Sequence, residues 1–205
     1  MAKKGEERKE AILEITEQLI LRKGFSGTSI DDILQQAKIT KGGFFYHFNG
    51  KNDLAKALME QYLIQDDVFF KQLFARADEL SEEPLQQMLI FLKFLAQAMG
   101  DLPDVHPGCL VASFAYESEH FDEEVKQLAA EGVRSWDALF MQRLQAIAET
   151  HPMRFDVDIE ELATMLTTVI EGGILVSRVL NQQQILVQQI QQYRNYLRLL
   201  FSNNH

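Results

Sequence analysis

The stretch TKGGFFYHFNGK, residues 40–51, decides how the chain is read. Two glycines stand directly before three aromatics and a histidine, an order that suits neither a buried strand nor a core helix. Thr40 is an N-cap residue type, so a short helix is expected over Lys41–Phe48, ended by the Asn49-Gly50 breaker. Small residues at the start of such a helix let its free N–H groups approach a phosphate closely, and Gly42 and Gly43 meet that need. Thr40 adds a hydroxyl, and Lys41 and Lys51 add charge on either side. The aromatics divide between pinning the helix to its neighbours and facing DNA, and Phe44 is assigned to the outward set. Together these are the requirements of a helix that enters a major groove by its N-terminal residues.

Working outward, Ser29 is an N-cap with Asp32 in the capping-box position, and Ile30, Ile33 and Leu34 face inward. That short helix joins the next through Ala37-Lys38-Ile39-Thr40, which are helix-turn-helix dimensions. Before it, a helix over roughly Glu7–Lys23 carries Ile12, Ile15, Leu19 and Ile20 on one face and stops at Gly24, after which Phe25 returns to the core. A fourth helix begins near Lys51. No run shows the strict alternation of a half-buried strand, so the fold class is all-α. An N-terminal three-helix helix-turn-helix domain over residues 1–50 precedes a C-terminal helical domain over 51–205.

Residues 24–54, GFSGTSIDDILQQAKITKGGFFYHFNGKNDL, resemble the N-terminal domain of the tetracycline-repressor (TetR) family of bacterial transcriptional regulators. The likeness lies in the Gly-Phe turn, Thr-Ser before the second helix, Thr-Lys-Gly opening the third, His-Phe towards its end and Lys at the start of the fourth. It covers about residues 7–58; beyond them the chain is similar to the family in length and helical layout, and HPGCLVASFAYE, residues 106–117, resembles a segment of some members. The resemblance implies that Thr28, Thr40, Lys41, Tyr46, His47 and Lys51 contact the DNA backbone or bases, while Phe25, Ile33, Phe45 and Phe48 hold the three-helix core. One departure stands out: many members carry Tyr where this chain has Phe45, with Tyr46 beside it, so either Tyr46 takes over the phosphate contact or one contact is missing.

The 205 residues carry a net charge of -10, which argues against a general nucleic-acid coat, but the charge is uneven. Residues 1–60 hold ten basic and nine acidic side chains, a balance of +1, against ten and twenty-one in residues 61–205. Only the N-terminal piece approaches a polyanion without strong repulsion. Lys3, Lys4, Arg8 and Lys9 read either as a minor-groove arm or, with Glu6, Glu7, Glu10 and Glu14 interspersed, as a solvated, frayed terminus. The N-terminus lacks the apolar run of a secretory signal, and the leading membrane candidate, MLIFLKFLAQAM, is interrupted by Lys93, so a cytoplasmic protein with no membrane partner is expected. The single cysteine, Cys109, excludes an internal disulfide framework, and its apolar setting reads as burial rather than thiol sensing. His106 and Cys109 lie three apart with Glu117, Glu119 and His120 nearby, short of a convergent ligand set, so no metal or cofactor is expected. No nucleophile motif, paired-carboxylate site or phosphate-cradling loop marks an enzyme.

The last two helices have the clearest periodicity. Leu162, Leu166, Val169, Gly173 and Val176 form one seam, and Leu186, Ile190, Tyr193 and Leu197 another; the pair either serves a homodimeric four-helix bundle, the favoured reading, or packs only on its own domain. Phe70, Phe74, Met88, Phe91, Phe114, Trp136, Phe140 and Met141 are either ordinary core or the walls of a ligand cavity. The resemblance implies such a cavity, suited to an apolar small molecule. The resulting expectation is a ligand-responsive homodimer that represses by binding a palindromic double-stranded operator, with a helical small-molecule-binding or adaptor protein whose DNA binding has degraded as the alternative.

Overall fold

The computed structural model describes residues 2–201, with side chains described from Gly5 onward, and every regular element in that range is helical. The helices are α1 (Ala2–Lys23), α2 (Ile30–Ala37), α3 (Lys41–Phe45), α4 (Lys51–Asp78) and α5 (Pro84–Gly100). After them come α6 (Leu110–Tyr116), a 3₁₀ turn over Ser118–His120, α7 (Glu123–Thr150), α8 (Ile159–Leu180) and α9 (Gln184–Leu200). The all-α expectation therefore holds.

Boundaries differ from expectation in instructive places. α1 starts at Ala2 rather than near Glu7, and the Lys3 and Lys4 side chains of the suggested arm lie outside those described. α3 is five residues long rather than eight, with Tyr46 as its C-cap. Asn49, two residues before α4, donates from its backbone N–H and its side-chain amide to Asp53 Oδ2 at 2.9 and 3.1 Å. α6 stops at Tyr116, and Glu117 leads directly into the 3₁₀ turn.

The chain forms two compact units, and neither is a continuous segment. The first holds the residues up to Gln65 together with Pro107–Gly132; the second holds Asp66–His106 and the residues from Val133 onward. Contacts thus group the chain differently from a cut after residue 50, and α4 and α7 each supply residues to both units. In the first unit Ile12, Leu19 and Ile20 of α1 are buried with Phe25, Ile33, Phe44, Phe48, Leu54 and Leu58. Phe25 meets Phe114 at a ring-centroid distance of 5.7 Å and Phe121 at 4.4 Å, so a segment remote in sequence completes this core.

In the second unit α9 packs on both α5 and α8. Gly173 explains the closeness of the α8–α9 approach: a Cβ there would lie 2.8 Å from Leu186 Cδ1 and 3.2 Å from its Cα. The buried Tyr193 hydroxyl donates to the Leu162 carbonyl at 2.8 Å, and burial pushes that phenol far above its ordinary pKa. Asp137 of α7 accepts from Thr164 and Thr167 of α8, and Arg143 makes a two-pronged pair with Asp78 at 2.8 and 2.9 Å.

Among the described residues, α8 is the helix long and apolar enough to cross a membrane by length and composition alone, which corrects the choice of MLIFLKFLAQAM as the leading candidate. Its hydropathy is the sum of a face covered by the unit's own core and a neighbouring bare strip.

Candidate nucleic-acid interface

α2 is fixed at both ends by local chemistry. Ser29 and Asp32 complete a reciprocal capping box: the Asp32 N–H donates to Ser29 Oγ at 3.1 Å, and the Ser29 N–H donates to Asp32 Oδ2 at 2.8 Å. Lys23, at the end of α1, pairs with the same carboxylate at 2.8 Å, and the hydrogen bonds from Lys23 and Ser29 hold Asp32 well below the usual carboxylate range. At the other end Lys38 takes the left-handed conformation, φ 52°, and its N–H bonds back to the last turn, which stops α2 and redirects the chain into α3.

α3 is then oriented by its aromatics. Thr40 Oγ1 accepts the Gly43 N–H at 3.1 Å, starting a single turn that points Phe44 into the core with 0% exposure. Phe48, four residues on, follows it inward, with ring centroids 5.5 Å apart. Phe45 is rotated about 100° around the helix from Phe44 and is 43% exposed; Tyr46 is 81% exposed. Thr40, Lys41 and Gly42 are exposed beside them, and a Cβ on Gly42 would meet nothing within 4 Å. Gly43 and His47 are half-buried, His47 lying edge-on to Tyr46. The outward surface of this turn is therefore a hydroxyl, an ammonium, a bare backbone and two aromatic rings.

Four expected roles change. Phe44 and Phe45 exchange places: the first is core and the second faces out, because a one-residue error rotates a helical position by about 100°. Thr28 is fully buried, its hydroxyl donating to the Gly24 carbonyl at 2.8 Å and its N–H to the Phe25 carbonyl at 3.1 Å, so it shapes the α1–α2 turn. Lys51 also turns inward. Its ammonium donates to the Phe25 carbonyl at 2.5 Å and sits 4.1 Å from the centre of the Phe25 ring, and burial draws it below the ordinary lysine range despite the nearby Glu117 and Asp32.

Of the residues suggested as ligand walls, Phe70, Phe74, Phe91 and Phe140 do come together in the second unit, Phe74 stacked on Phe91 at 3.7 Å. These four, with Met88 and Trp136, are buried, and Met141 is half-buried. Phe114 does not join them; it stacks on Phe121 in the first unit at 4.2 Å. Of the suggested dimer seam, Leu162, Leu166, Gly173, Leu186, Ile190, Tyr193 and Leu197 are buried within the chain. Val169 is half-buried and Val176 is 44% exposed. The bare strip of α8 is instead Met165, Gly172, Val176 and Val179, with the half-buried Val169 between the first two, and Leu199 of α9 is also exposed.

Sequence reasoning weighed Glu117 only as a neighbour of His106 and Cys109 and missed its place at the turn after Gly24. Its carboxylate accepts the backbone N–H groups of Phe25 at 2.6 Å and Ser26 at 2.8 Å, and the Ser26 hydroxyl as well. No motif signals a contact across about ninety residues; only the unpaired N–H groups after Gly24 hint that something must cap them.

Comparison with known proteins bears on this geometry. The family model described as "Bacterial regulatory proteins, tetR family" matches residues 12–58, and "Tetracyclin repressor-like, C-terminal domain" matches residues 84–193. The chain is 25% identical over 170 residues to the HTH-type transcriptional regulator LmrA of Bacillus subtilis, covering 82% of this chain and 85% of that one. It is 23% identical over 173 residues to the HTH-type transcriptional repressor NemR of Escherichia coli, covering 83% and 84%. The crystal structure of a TetR-family transcriptional regulator from Agrobacterium tumefaciens superposes with a TM-score of 0.79 at 22% identity, covering 97% of this chain and all of that one.

Proposed function

The chain belongs to the tetR family of bacterial regulatory proteins and is a DNA-binding transcriptional regulator of the repressor type, not an enzyme, and from that premise we propose that it acts as a homodimer on an inverted-repeat operator and is released by a small apolar effector. The observation that carries the DNA-binding half is the outward surface of α3. Thr40, Lys41 and the open backbone at Gly42 suit phosphate, while Phe45, Tyr46 and His47 suit base edges and the thymine methyl group. With Lys51 turned inward, Lys41 supplies the phosphate charge, and Phe45 becomes an apolar reader.

The homodimer is supported by the bare strip of α8. Two copies pairing that strip, with Gly172 at its centre allowing close approach, would bury Val176 and Val179 and give two recognition helices on one axis. The effector site is supported by the aromatic cluster of Phe70, Phe74, Phe91 and Phe140, which an apolar ligand would part rather than enter, since these rings are buried without it. In this reading residues 1–50 bind DNA, residues 51–205 dimerise and bind the effector, and the protein works in the cytoplasm.

In vitro selection from a random DNA pool with purified protein at moderate salt tests the proposal. An enriched inverted repeat is expected. Enrichment of a single half-site would remove the dimer, and no enrichment from folded protein would remove DNA binding itself.

A further inference from the structure

The turn between α1 and α2 is where the DNA-binding helices gain their placement, and its hydrogen bonds are held from outside. Gly24, at φ 80°, ends α1, and the chain then exposes the N–H groups of Phe25 and Ser26 in succession. Glu117 takes both, and the Ser26 hydroxyl too. A side chain at Gly24 would place its Cβ 2.7 Å from Glu117 Oε1, so the glycine also makes room for the carboxylate. On the opposite side of the same residue Lys51 holds the Phe25 carbonyl, and the Phe25 ring lies against Phe114 and Phe121. Four residues after Phe25, Ser29 caps α2. The start of α2 and the start of α4 thus both hang on Phe25.

Glu117 itself sits at the C-terminal end of α6. Desolvation works against its charge, yet the hydrogen bonds from Ser26 and Phe25 outweigh it and leave the carboxyl below its ordinary value, the mark of a carboxylate held ionised by this turn. Loss of those bonds would hand two N–H groups to water and free the turn, so the order they impose would have to be restored when DNA binds.

We propose that Glu117 is a positioning residue through which α6 sets the DNA affinity of α2 and α3: engaged with Phe25 and Ser26 it holds them ready for DNA, and disengaged it weakens binding. This rests on the DNA-binding reading above. The reach of α6 into the turn makes α6 a control point for the affinity, because any shift of Glu117 is felt directly at the residues that launch α2.

The test uses the full chain and the duplex recovered by selection. Wild type, Glu117→Gln and Glu117→Ala are titrated at several salt concentrations, with amide exchange followed at Phe25 and Ser26. Expected are a loss of affinity of about tenfold or more for Glu117→Ala, within the usual range of coupling between sites, a smaller loss for Glu117→Gln, which keeps one acceptor, and faster exchange confined to the turn. The slope of log K against log salt stays that of wild type, since no phosphate contact is removed. Removing a negative charge near a polyanion would by itself tighten binding, so equal or tighter binding by Glu117→Ala overturns the proposal. So does a loss of affinity in Glu117→Gln and Glu117→Ala alike with unchanged exchange at Phe25 and Ser26. Failure of the wild type to bind any duplex removes the DNA-binding reading and this inference with it, whereas tight wild-type binding with unaffected variants removes only the role of Glu117.

Discussion

In α3 a single turn sends Phe44 and Phe48 inward and leaves Phe45 and Tyr46 outside, whereas α8 carries apolar residues on two neighbouring faces, one covered by its own unit and one bare. The two helices show different limits on what a hydrophobic pattern conveys. In α3 every candidate is aromatic and the helix is too short for a period to fix its phase, so in and out are chosen by the caps and by the shape of the space beneath. In α8 the period is long and clear, but two seams share one helix, and apolarity does not say which seam meets α9 and which stays bare. The surface proposed for DNA and the surface proposed for a second copy are each told from core only by what the rest of the chain already covers.

That contrast can be broken or sharpened by paired substitutions. The largest effect is expected from Phe44→Ala against Phe45→Ala. Loss of the fully buried ring should cost about 3–5 kcal/mol in denaturant unfolding, while Phe45→Ala should cost about 0.5 kcal/mol or less and weaken DNA binding instead. Equal destabilisation by both would mean that α3 is rotated from the position described. Val179→Glu, on the bare strip of α8, should raise the dimer dissociation constant about a hundredfold through the cost of burying a charge, leaving the monomer's melting unchanged. Sedimentation that still shows a tight dimer would place the interface elsewhere.

Adjacent glycines give the next pair. Gly173→Ala forces a Cβ onto Leu186 and should destabilise the second unit by about 1–3 kcal/mol. Gly172→Ala meets nothing and should stabilise the helix by up to about 1 kcal/mol, visible as a higher melting temperature at concentrations where the protein is monomeric. A smaller loss, about 1 kcal/mol, is expected for Ser29→Ala, which removes the α2 cap and is read by amide exchange in α2. Smallest is the response to acid. Asp32 and Glu117 both titrate below their ordinary values in the folded chain, so their contribution is present above about pH 4 and is lost as pH falls through the depressed values. An acid titration followed at the α1–α2 turn should show loosening there before the single tryptophan, Trp136 in the second unit, reports any change. Coincident transitions would argue that neither carboxylate matters locally.

Much of the candidate interface was legible because it rests on short-range rules. Ser29 with Asp32, Thr40 before two glycines, and Asn49-Gly50 each announce a helix boundary within a few residues, and those boundaries place α2 and the start of α3. The family likeness of residues 24–54 added the expectation of DNA, but not the intrachain bonds that Thr28 makes to the Gly24 carbonyl and Lys51 to the Phe25 carbonyl.

By itself the sequence determined the all-helical class, the caps that set α2 and α3, the charge asymmetry that makes the N-terminal piece the DNA-facing one, and the apolar seams of α8 and α9. Tertiary structure alone decided that Phe44 is core and Phe45 is surface, that Lys51 serves the Phe25 carbonyl, that α9 covers one seam of α8, and that Glu117 closes the turn after Gly24. The physical reason is range. Capping and periodicity act over three or four residues and leave a mark in the order of side chains, whereas burial and long-range hydrogen bonding depend on which distant segment arrives, and the chain carries no local mark of that arrival.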